Sequence, residues 1–206
     1  MEKYVITIGR QLGSGGHAIA NALSERLGIK VYDNNLVDVV ASESGFNPEL
    51  LAKHDERPHK GFFGLFSGGR ALNDCSVSPS IGEDDFFHLQ SSVLQKLAKE
   101  ESLIVVGRCA DYVLRDMPNL LTVFIAADLE DRITSIAQRN NLSRRDAERF
   151  IDQGERQRVA FYNYYTFKTW GDSASYDLCI NSSRLGFEGT VETIINVLNQ
   201  MPWMKK

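Results

Sequence analysis

Cysteine is scarce in this sequence and never paired. The 206 residues contain three cysteines, Cys75, Cys109 and Cys179, and none of them belongs to a Cys-x-x-Cys motif. A disulfide framework and a zinc knuckle both need clustered cysteines, so the sequence favours neither. Because reducing compartments suit unpaired thiols, we expect a cytoplasmic protein.

Long apolar runs and blocks of positive charge are missing as well. No apolar run approaches the ~20 residues that span a bilayer, and a strand-like segment begins at residue 4, where a signal segment would have to stand. The formal net charge is -4, from 23 Lys and Arg against 27 Asp and Glu. Binding to a nucleic acid polymer draws on clustered positive charge, so we expect neither a membrane nor a nucleic acid partner.

Five short apolar runs alternate with helical patterns along the chain. The runs are continuous, which is typical of strands that are buried on both faces of a parallel sheet. We predict a single α/β domain over residues 1–206, a three-layer sandwich around a parallel five-stranded sheet, with strands at residues 4–8, 30–32, 103–106, 121–125 and 177–180. Ligands of such sheets bind at the carboxyl ends of the strands.

Two segments interrupt this alternation. Residues 55–84 are rich in Gly, Ser, Pro and Asp and predict an excursion between the second and third strands. Residues 141–176 contain Ser143-Arg-Arg-Asp146, which predicts a capping box at the start of a long helix that runs into an aromatic cluster. Both excursions should leave the sheet on its ligand side.

The segment ITIGRQLGSGGHAIANAL, residues 6–23, runs from the first strand through a glycine-rich bend into a helix. This arrangement aims backbone N–H groups and the positive end of a helix dipole at one point, which suits a phosphate. The Walker A pattern GxxxxGK[ST] is incomplete, however, because Gly15 takes the last glycine and Gly16 stands in place of the lysine. Nor does Ala18 offer a hydroxyl to magnesium.

Two other interpretations of the bend stay open at this point. The residues Gly13-x-Gly15-x-x-Ala18 match the dinucleotide fingerprint, and Asp33 lies near the expected distance after the second strand. A plain structural turn between strand and helix is the third interpretation. Four residues separate the end of the predicted strand at Ile8 from Gly13, and this longer arch suits a wrapped phosphate chain better than a dinucleotide.

Four segments, of which the first contains the glycine-rich bend, are informative when they are read together: ITIGRQLGSGGHAIANALSERLGIKVYD, IVVGRCADYVL, GERQRVAFYNYYTFKTWGD and YDLCINSSRLGFEGTVETI. In this order and spacing they resemble the cytidylate kinase-like family, a branch of the P-loop nucleoside monophosphate kinases, from residue 4 to about residue 198. The resemblance implies a kinase that moves the γ-phosphoryl group of ATP, with Mg²⁺, to a nucleoside monophosphate, CMP or dCMP in the better-known relatives. It also implies an acceptor-binding insertion at about residues 34–100 and an arginine-bearing lid at about residues 141–176.

Phosphoryl transfer asks the protein for positioning and positive charge, so arginines should carry it. The resemblance aligns Arg156 and Arg158, in GERQR, with lid arginines that close over the transferring phosphate. It places Arg10 at the first position of the loop, which is normally glycine, and we expect its guanidinium to replace part of the missing lysine charge. These three arginines are the predicted catalytic residues.

The same resemblance predicts the nucleotide contacts. Arg108 matches the arginine of a Gly-Arg-Asp segment whose aspartate is here Cys109, so the acceptor should meet Arg108 together with Asp33 and Asp111. Arg132, which opens the helix after FIAADLED, would pack on the adenine of ATP. The residues predicted to hold the ATP phosphates are Gly13, Ser14, Gly15, Gly16 and His17. No residue is predicted as a metal ligand, because magnesium should bridge phosphate oxygens largely through water, with Asp33 as the acidic candidate beside its shell.

Two competing functions are left by the sequence. A nucleotide-binding regulatory module would keep the fold without transfer chemistry, which the missing lysine at Gly16 favours, whereas Arg108, Arg156 and Arg158 together favour an enzyme. A dinucleotide-dependent oxidoreductase is disfavoured by the long arch and the arginine-bearing segment.

The aromatic run at residues 62–66 is unusual for a solvated loop. It would pack on the core, close over the acceptor or meet a second copy of the chain, so a homo-oligomer is one of the predicted arrangements. The preceding His54, Asp55 and Glu56 are interpreted as part of a solvated loop rather than as metal ligands.

Overall fold

A computed structural model describes residues 3–33, 36–44 and 83–205 of the chain. Its five strands are β1 Val5–Arg10, β2 Lys30–Tyr32, β3 Leu103–Val106, β4 Leu120–Ala126 and β5 Leu178–Asn181. Its helices are α1 Gly16–Leu27, α2 Leu36–Ser44, α3 Glu83–Glu100, α4 Ala110–Val113, α5 Leu129–Asn140, α6 Arg144–Thr166 and α7 Ser182–Gln200. Short 3₁₀ turns lie at Ser173–Ser175 and Pro202–Met204.

The strands form one parallel sheet in the order β2-β3-β1-β4-β5. The five predicted strands are therefore confirmed, and so is the α/β class. The first strand is longer than predicted, because Gly9 and Arg10 continue the ladder opposite Phe124 and Ile125 of β4. This extension brings Arg10 to the carboxyl edge of the sheet.

Alternate residues of the central strands supply two separate cores, one on each face of the sheet. Val5, Leu103 and Val105 pack on one face with residues of α2, α3 and α4. Ile6 and Ile104 pack on the other face with residues of α1 and α7. Since apolar burial on both faces drives the packing, the strands read as continuous apolar runs, and the molecule has three layers.

Helix α6 begins where the sequence predicts a capping box. The Ser143 hydroxyl oxygen accepts a hydrogen bond from the backbone N–H of Asp146 at 3.2 Å and donates to the Asp146 carboxylate at 2.6 Å. A third apolar cluster, Ile133, Ile136, Ala147 and Ile151, joins α5 to α6. The long helix is thus fixed to the helix that follows β4.

Residues 55–82 of the first predicted excursion lie outside the described residues, and so do His54 and the aromatic run at 62–66. The last two residues of that excursion, Glu83 and Asp84, open helix α3. In the part of the chain that the structure describes, no helix is long and apolar enough to cross a membrane.

Candidate functional site

The glycine loop, residues 10–16, connects β1 to α1 at the carboxyl edge of the sheet. Gly13 and Gly15 have φ angles of 87° and 81°, in the left-handed region that favours glycine. A Cβ at Gly13 would also lie 2.8 Å from the carbonyl oxygen of Arg132. The two glycines therefore let the backbone turn closely against α5 and direct the first amides of α1 toward one point.

Side-chain hydrogen bonds fix the shape of this loop. The Ser14 hydroxyl donates to the carbonyl oxygen of Gln11 at 2.8 Å, and the Gln11 side-chain oxygen accepts from the N–H of Ala127 at 3.1 Å. The Ser182 hydroxyl, at the start of α7, donates to the carbonyl oxygen of Ser14 at 2.9 Å. The arch is thus tied to the end of β4 and to α7.

The strand order bears on the dinucleotide interpretation of this loop. Because β1 runs through Arg10, two residues rather than four separate the strand from Gly13, and the long arch expected from the sequence is shorter. In dinucleotide-binding sheets the second strand lies next to the first. Here β3 lies between them, so the strand order differs from that of a dinucleotide-binding sheet and disfavours the dinucleotide interpretation.

Asp33 is the centre of a charged cluster beside the loop. Its carboxylate lies 2.6 Å from His17 Nδ1 and 3.7 Å from Arg10 Nη2. Its carbonyl oxygen accepts a hydrogen bond from Arg108 Nη2 at 3.0 Å. The structure therefore brings together one loop residue, one α1 residue, and two of the three predicted acceptor contacts.

Arg108 is the most deeply buried cation of this cluster, with a side chain that is 1% exposed. Its other terminal nitrogen donates to the side-chain oxygen of Gln90 at 3.3 Å. Burial lowers its pKa to about 10, which still leaves the guanidinium charged at neutral pH. The guanidinium charge of Arg108 is therefore held in a fixed position within this cluster.

The backbone around Arg108 is strained. Gly107, Arg108 and Cys109 have successive φ angles of 78°, 62° and 52°, and the last two are not glycine. Left-handed conformations of such residues cost about 1–3 kcal/mol each and persist where the surroundings enforce them. This turn is what brings the Arg108 side chain beneath the end of β1.

A cavity lies between this turn, the end of β1 and helix α6. Its lining includes Arg10, Arg108, Arg158, Asp111 and Tyr162. Arg158 Nη1 donates to the carbonyl oxygen of Arg10 at 3.1 Å, and the Tyr162 hydroxyl donates to the Asp111 carboxylate at 2.6 Å. Burial raises the pKa of Asp111 above its usual value and also raises the pKa of Tyr162.

Arg156 and Arg132 do not line that cavity. Arg156 is exposed on α6 and pairs with Asp152 at 2.9 Å, one turn earlier on the same helix. It faces away from Arg158 because side chains two residues apart on a helix point in different directions. Arg132 is 7% exposed, and its Nη1 lies 2.9 Å from the Glu155 carboxylate. Both arginines border a second, largely apolar groove between α5 and α6.

Sequence reasoning missed two residues of the site. Glu155 accepts a hydrogen bond from the N–H of Leu12 at 3.0 Å, so it joins α6 to the glycine loop as well as to Arg132. Trp170 borders the arginine-lined cavity, the apolar groove and a third pocket at the end of β5. Glu155 directly precedes Arg156 in GERQR, where a single acidic residue resembles one of a solvated helix face, and an isolated tryptophan after a helix carries no local signal.

The residues around the loop do not fit a magnesium ion bound directly by protein. The hydroxyl position of the Walker pattern counts to His17, one residue before Ala18, and His17 is engaged with Asp33. One oxygen of the Asp33 carboxylate contacts His17 Nδ1 at 2.6 Å, and the other lies 3.7 Å from Arg10 Nη2. Among residues 3–33, 36–44 and 83–205, no group of three or more His, Cys, Asp or Glu could hold a metal.

Comparison with known sequences agrees with the resemblance to the cytidylate kinase-like family. A family model described as the cytidylate kinase-like family matches residues 5–184. A cytidylate kinase from Pyrococcus horikoshii is 26% identical over 191 residues, 91% of this chain and 84% of its own length. A cytidylate kinase from Archaeoglobus fulgidus is 25% identical over 197 residues, which cover 94% of this chain and 93% of that one.

Solved structures share the fold. A protein described as uncharacterized, from Eubacterium ventriosum, has a TM-score of 0.74 at 25% identity and covers 97% of this chain and 100% of its own. Shikimate kinase from Bacteroides thetaiotaomicron has a TM-score of 0.55 at 14% identity, with 95% of this chain and 98% of the other covered. The predicted P-loop kinase fold is therefore confirmed.

Proposed function

We propose that this chain, which belongs to the cytidylate kinase-like family, is an ATP-dependent kinase that phosphorylates a nucleoside monophosphate, CMP or dCMP. The observation that carries the proposal is the convergence of Arg10, Arg108 and Arg158 on one cavity beside the glycine loop. The cavity is small, about 30 Å³, so three guanidinium groups around it suit a phosphate group rather than a whole nucleotide. The names of the relatives support a cytidine acceptor.

The proposed reaction needs no proton acceptor from the protein. An oxygen of the acceptor phosphate attacks the γ-phosphorus of ATP, the bond from that phosphorus to the β,γ-bridging oxygen breaks, and ADP leaves. Since the charge is spread over phosphoryl oxygens, positioning and fixed positive charge are the main demands on the protein. Magnesium would be carried by the nucleotide phosphates and water, and it would neutralise part of their charge.

Each arginine has a distinct part in this proposal. Arg108 is buried and held by Asp33 and Gln90, so it is a fixed anchor for the acceptor phosphate. Arg10 lies at the loop and supplies positive charge to the ATP phosphates. Arg158 comes from α6 and contacts the Arg10 carbonyl oxygen, and this contact with the loop supports a role for Arg158 at the transferring phosphoryl group.

A coupled assay of ADP release tests the activity. ATP and magnesium are supplied with a panel of monophosphates, and we expect turnover with CMP or dCMP. Arg158→Met should lower kcat by about 100-fold or more, because it removes a cation aimed at the transferring group. Arg156→Met removes the same charge two residues away, from a side chain that faces another groove, and should lower kcat far less.

A regulatory module is the second candidate function. Gly16 in place of lysine favours it, and so does the Glu155 carboxylate, a negative group that occupies the Leu12 amide of the loop. ATP binding without acceptor-dependent ADP release would support this alternative and would contradict the kinase.

A further inference from the structure

Gly16 is a glycine for reasons of space rather than conformation. It is the first residue of α1, and it is not among the residues with a positive φ angle. A Cβ at this position would lie 2.7 Å from Cβ and 3.0 Å from Cγ of Arg10. These are the root atoms of the arginine side chain, which cannot swing aside as a flexible tip would. Any side chain at position 16, including lysine, would therefore force Arg10 or the loop backbone to shift.

Arg10 in turn is held where it stands. Its backbone is paired with β4 opposite Ile125, and its side chain is 12% exposed. The guanidinium lies 3.7 Å from the Asp33 carboxylate, which His17 also contacts at 2.6 Å. The carbonyl oxygen of Arg10 accepts from Arg158. The Cβ and Cγ atoms of Arg10 thus fill the space in which the side chain of a Walker lysine would begin.

We propose that the residues at positions 10 and 16 depend on each other. Arg10 supplies the cation with which the loop binds phosphate, and Gly16 leaves room for the Cβ and Cγ atoms of Arg10. The inference rests on the proposed function, because it takes the bound anion to be the polyphosphate tail of ATP. It goes further in one respect: position 16 accepts a side chain only after position 10 has lost its own. The loop can regain the first glycine and the lysine of the Walker pattern through both positions together and through neither alone.

The packing half of the proposal is tested without any nucleotide. Gly16→Ala should lower Tm by roughly 3–10 °C, as overpacking of a tight contact does. In an Arg10→Gly background the same change should leave Tm unchanged or raise it slightly, since alanine favours a helix more than glycine. Arg10→Met keeps the stem, so Gly16→Ala should again lower Tm there. Gly189→Ala is the matched control, because its Cβ would meet an ordinary contact at 3.4 Å.

The phosphate half is tested by calorimetric titration with ATP and magnesium. Arg10→Met should weaken ATP binding about 10- to 100-fold, the loss expected for one charge-assisted contact. Gly16→Lys alone should not strengthen binding. The double variant Arg10→Gly/Gly16→Lys, which restores lysine where the Walker pattern has it, should bind ATP at least tenfold more tightly than Arg10→Gly. Arg139→Ala, on the exposed face of α5, controls for the loss of one positive charge.

Each outcome has a distinct meaning. Equal Tm effects of Gly16→Ala with and without the Arg10 stem would overturn the inference, and so would full ATP affinity in Arg10→Met. If the unaltered protein does not bind ATP at all, the proposed function fails as well, whatever the thermal data show.

Discussion

Asp111 lies in the cavity under unusual conditions for a carboxylate. It is largely buried, it accepts a hydrogen bond from Tyr162, and burial raises its pKa above the usual 3.8. Glu101, at the far end of the sheet, has the opposite environment. Hydrogen bonds from Lys30 at 3.1 Å and Tyr32 at 2.6 Å lower its pKa below the usual 4.5. The two carboxylates should therefore respond to pH with opposite signs.

These directions give a prediction about stability and pH. The folded state binds the Asp111 proton more tightly than the unfolded chain, so stability falls as the pH rises above 3.8. Asp111→Asn removes this dependence and should gain Tm relative to the unaltered protein as the pH is raised from about 4 to about 7.

The Glu101 carboxylate stabilises the folded state above pH 4.5 and loses that contribution as the pH falls. Glu101→Gln should accordingly lose Tm relative to the unaltered protein over the same rise. Differential scanning fluorimetry measures the Tm of each variant and of the unaltered protein across this pH range. If both Tm differences changed in the same direction with pH, the opposite pKa shifts assigned to Asp111 and Glu101 would be wrong.

Helix α6 is attached to the glycine loop through Glu155, which connects two elements that are far apart in the sequence. Its carboxylate meets both the Leu12 N–H and the guanidinium of Arg132, which is 7% exposed. Close packing adds to the attachment, because a Cβ at Gly154 would lie 2.8 Å from the Leu12 side chain. Loss of the carboxylate leaves a buried guanidinium without its partner, which is costly.

We expect Glu155→Ala to destabilise the protein by about 1–3 kcal/mol, less than for a fully buried pair because Glu155 is 20% exposed. Thermal unfolding should show a Tm lower by roughly 3–10 °C. The added change Arg132→Met should recover part of this loss, since it removes the stranded charge. Glu148→Ala is the matched control on the same helix, as its pair with Arg144 is exposed and worth about 0–1 kcal/mol. An unchanged Tm in Glu155→Ala would show that the contact contributes nothing to the fold.

A parallel sheet gives the whole molecule two unlike ends, and its two tryptophans report on them separately. Trp170 lies at the carboxyl end, where it borders three cavities. Trp203 stacks on Tyr4 with ring centroids 5.7 Å apart, beside the start of β1. Because ligands bind at the carboxyl ends of such strands, the two indoles should respond differently to substrate.

Single-tryptophan variants test this polarity. Trp203→Phe leaves Trp170 as the sole tryptophan, and its emission should change on titration with ATP or CMP. Trp170→Phe leaves Trp203, whose emission should stay constant during the same titration. A change in emission from Trp203 alone would contradict the expected position of the binding site at the carboxyl end of the sheet.

The sequence carried more information about the fold than about the site. Each strand is a continuous apolar run because both faces of the sheet are covered, so the positions of the apolar runs in the sequence located all five. The contacts of the site depend on side chains that meet across long sequence distances, such as Glu155 with Leu12. Arg156 and Arg158 look equivalent in the sequence and differ only in the direction that the helix gives them.

Helix α6 runs without a break from Arg144 to Thr166, with left-handed residues at Asn141 just before its cap and at Phe167 just after its end. A continuous helix of this kind moves as a rigid body rather than bending at its middle. Glu155 and Arg158 lie within a single turn of it, so any rigid displacement of α6 would break the contact with the Leu12 amide and the contact with the Arg10 carbonyl oxygen together.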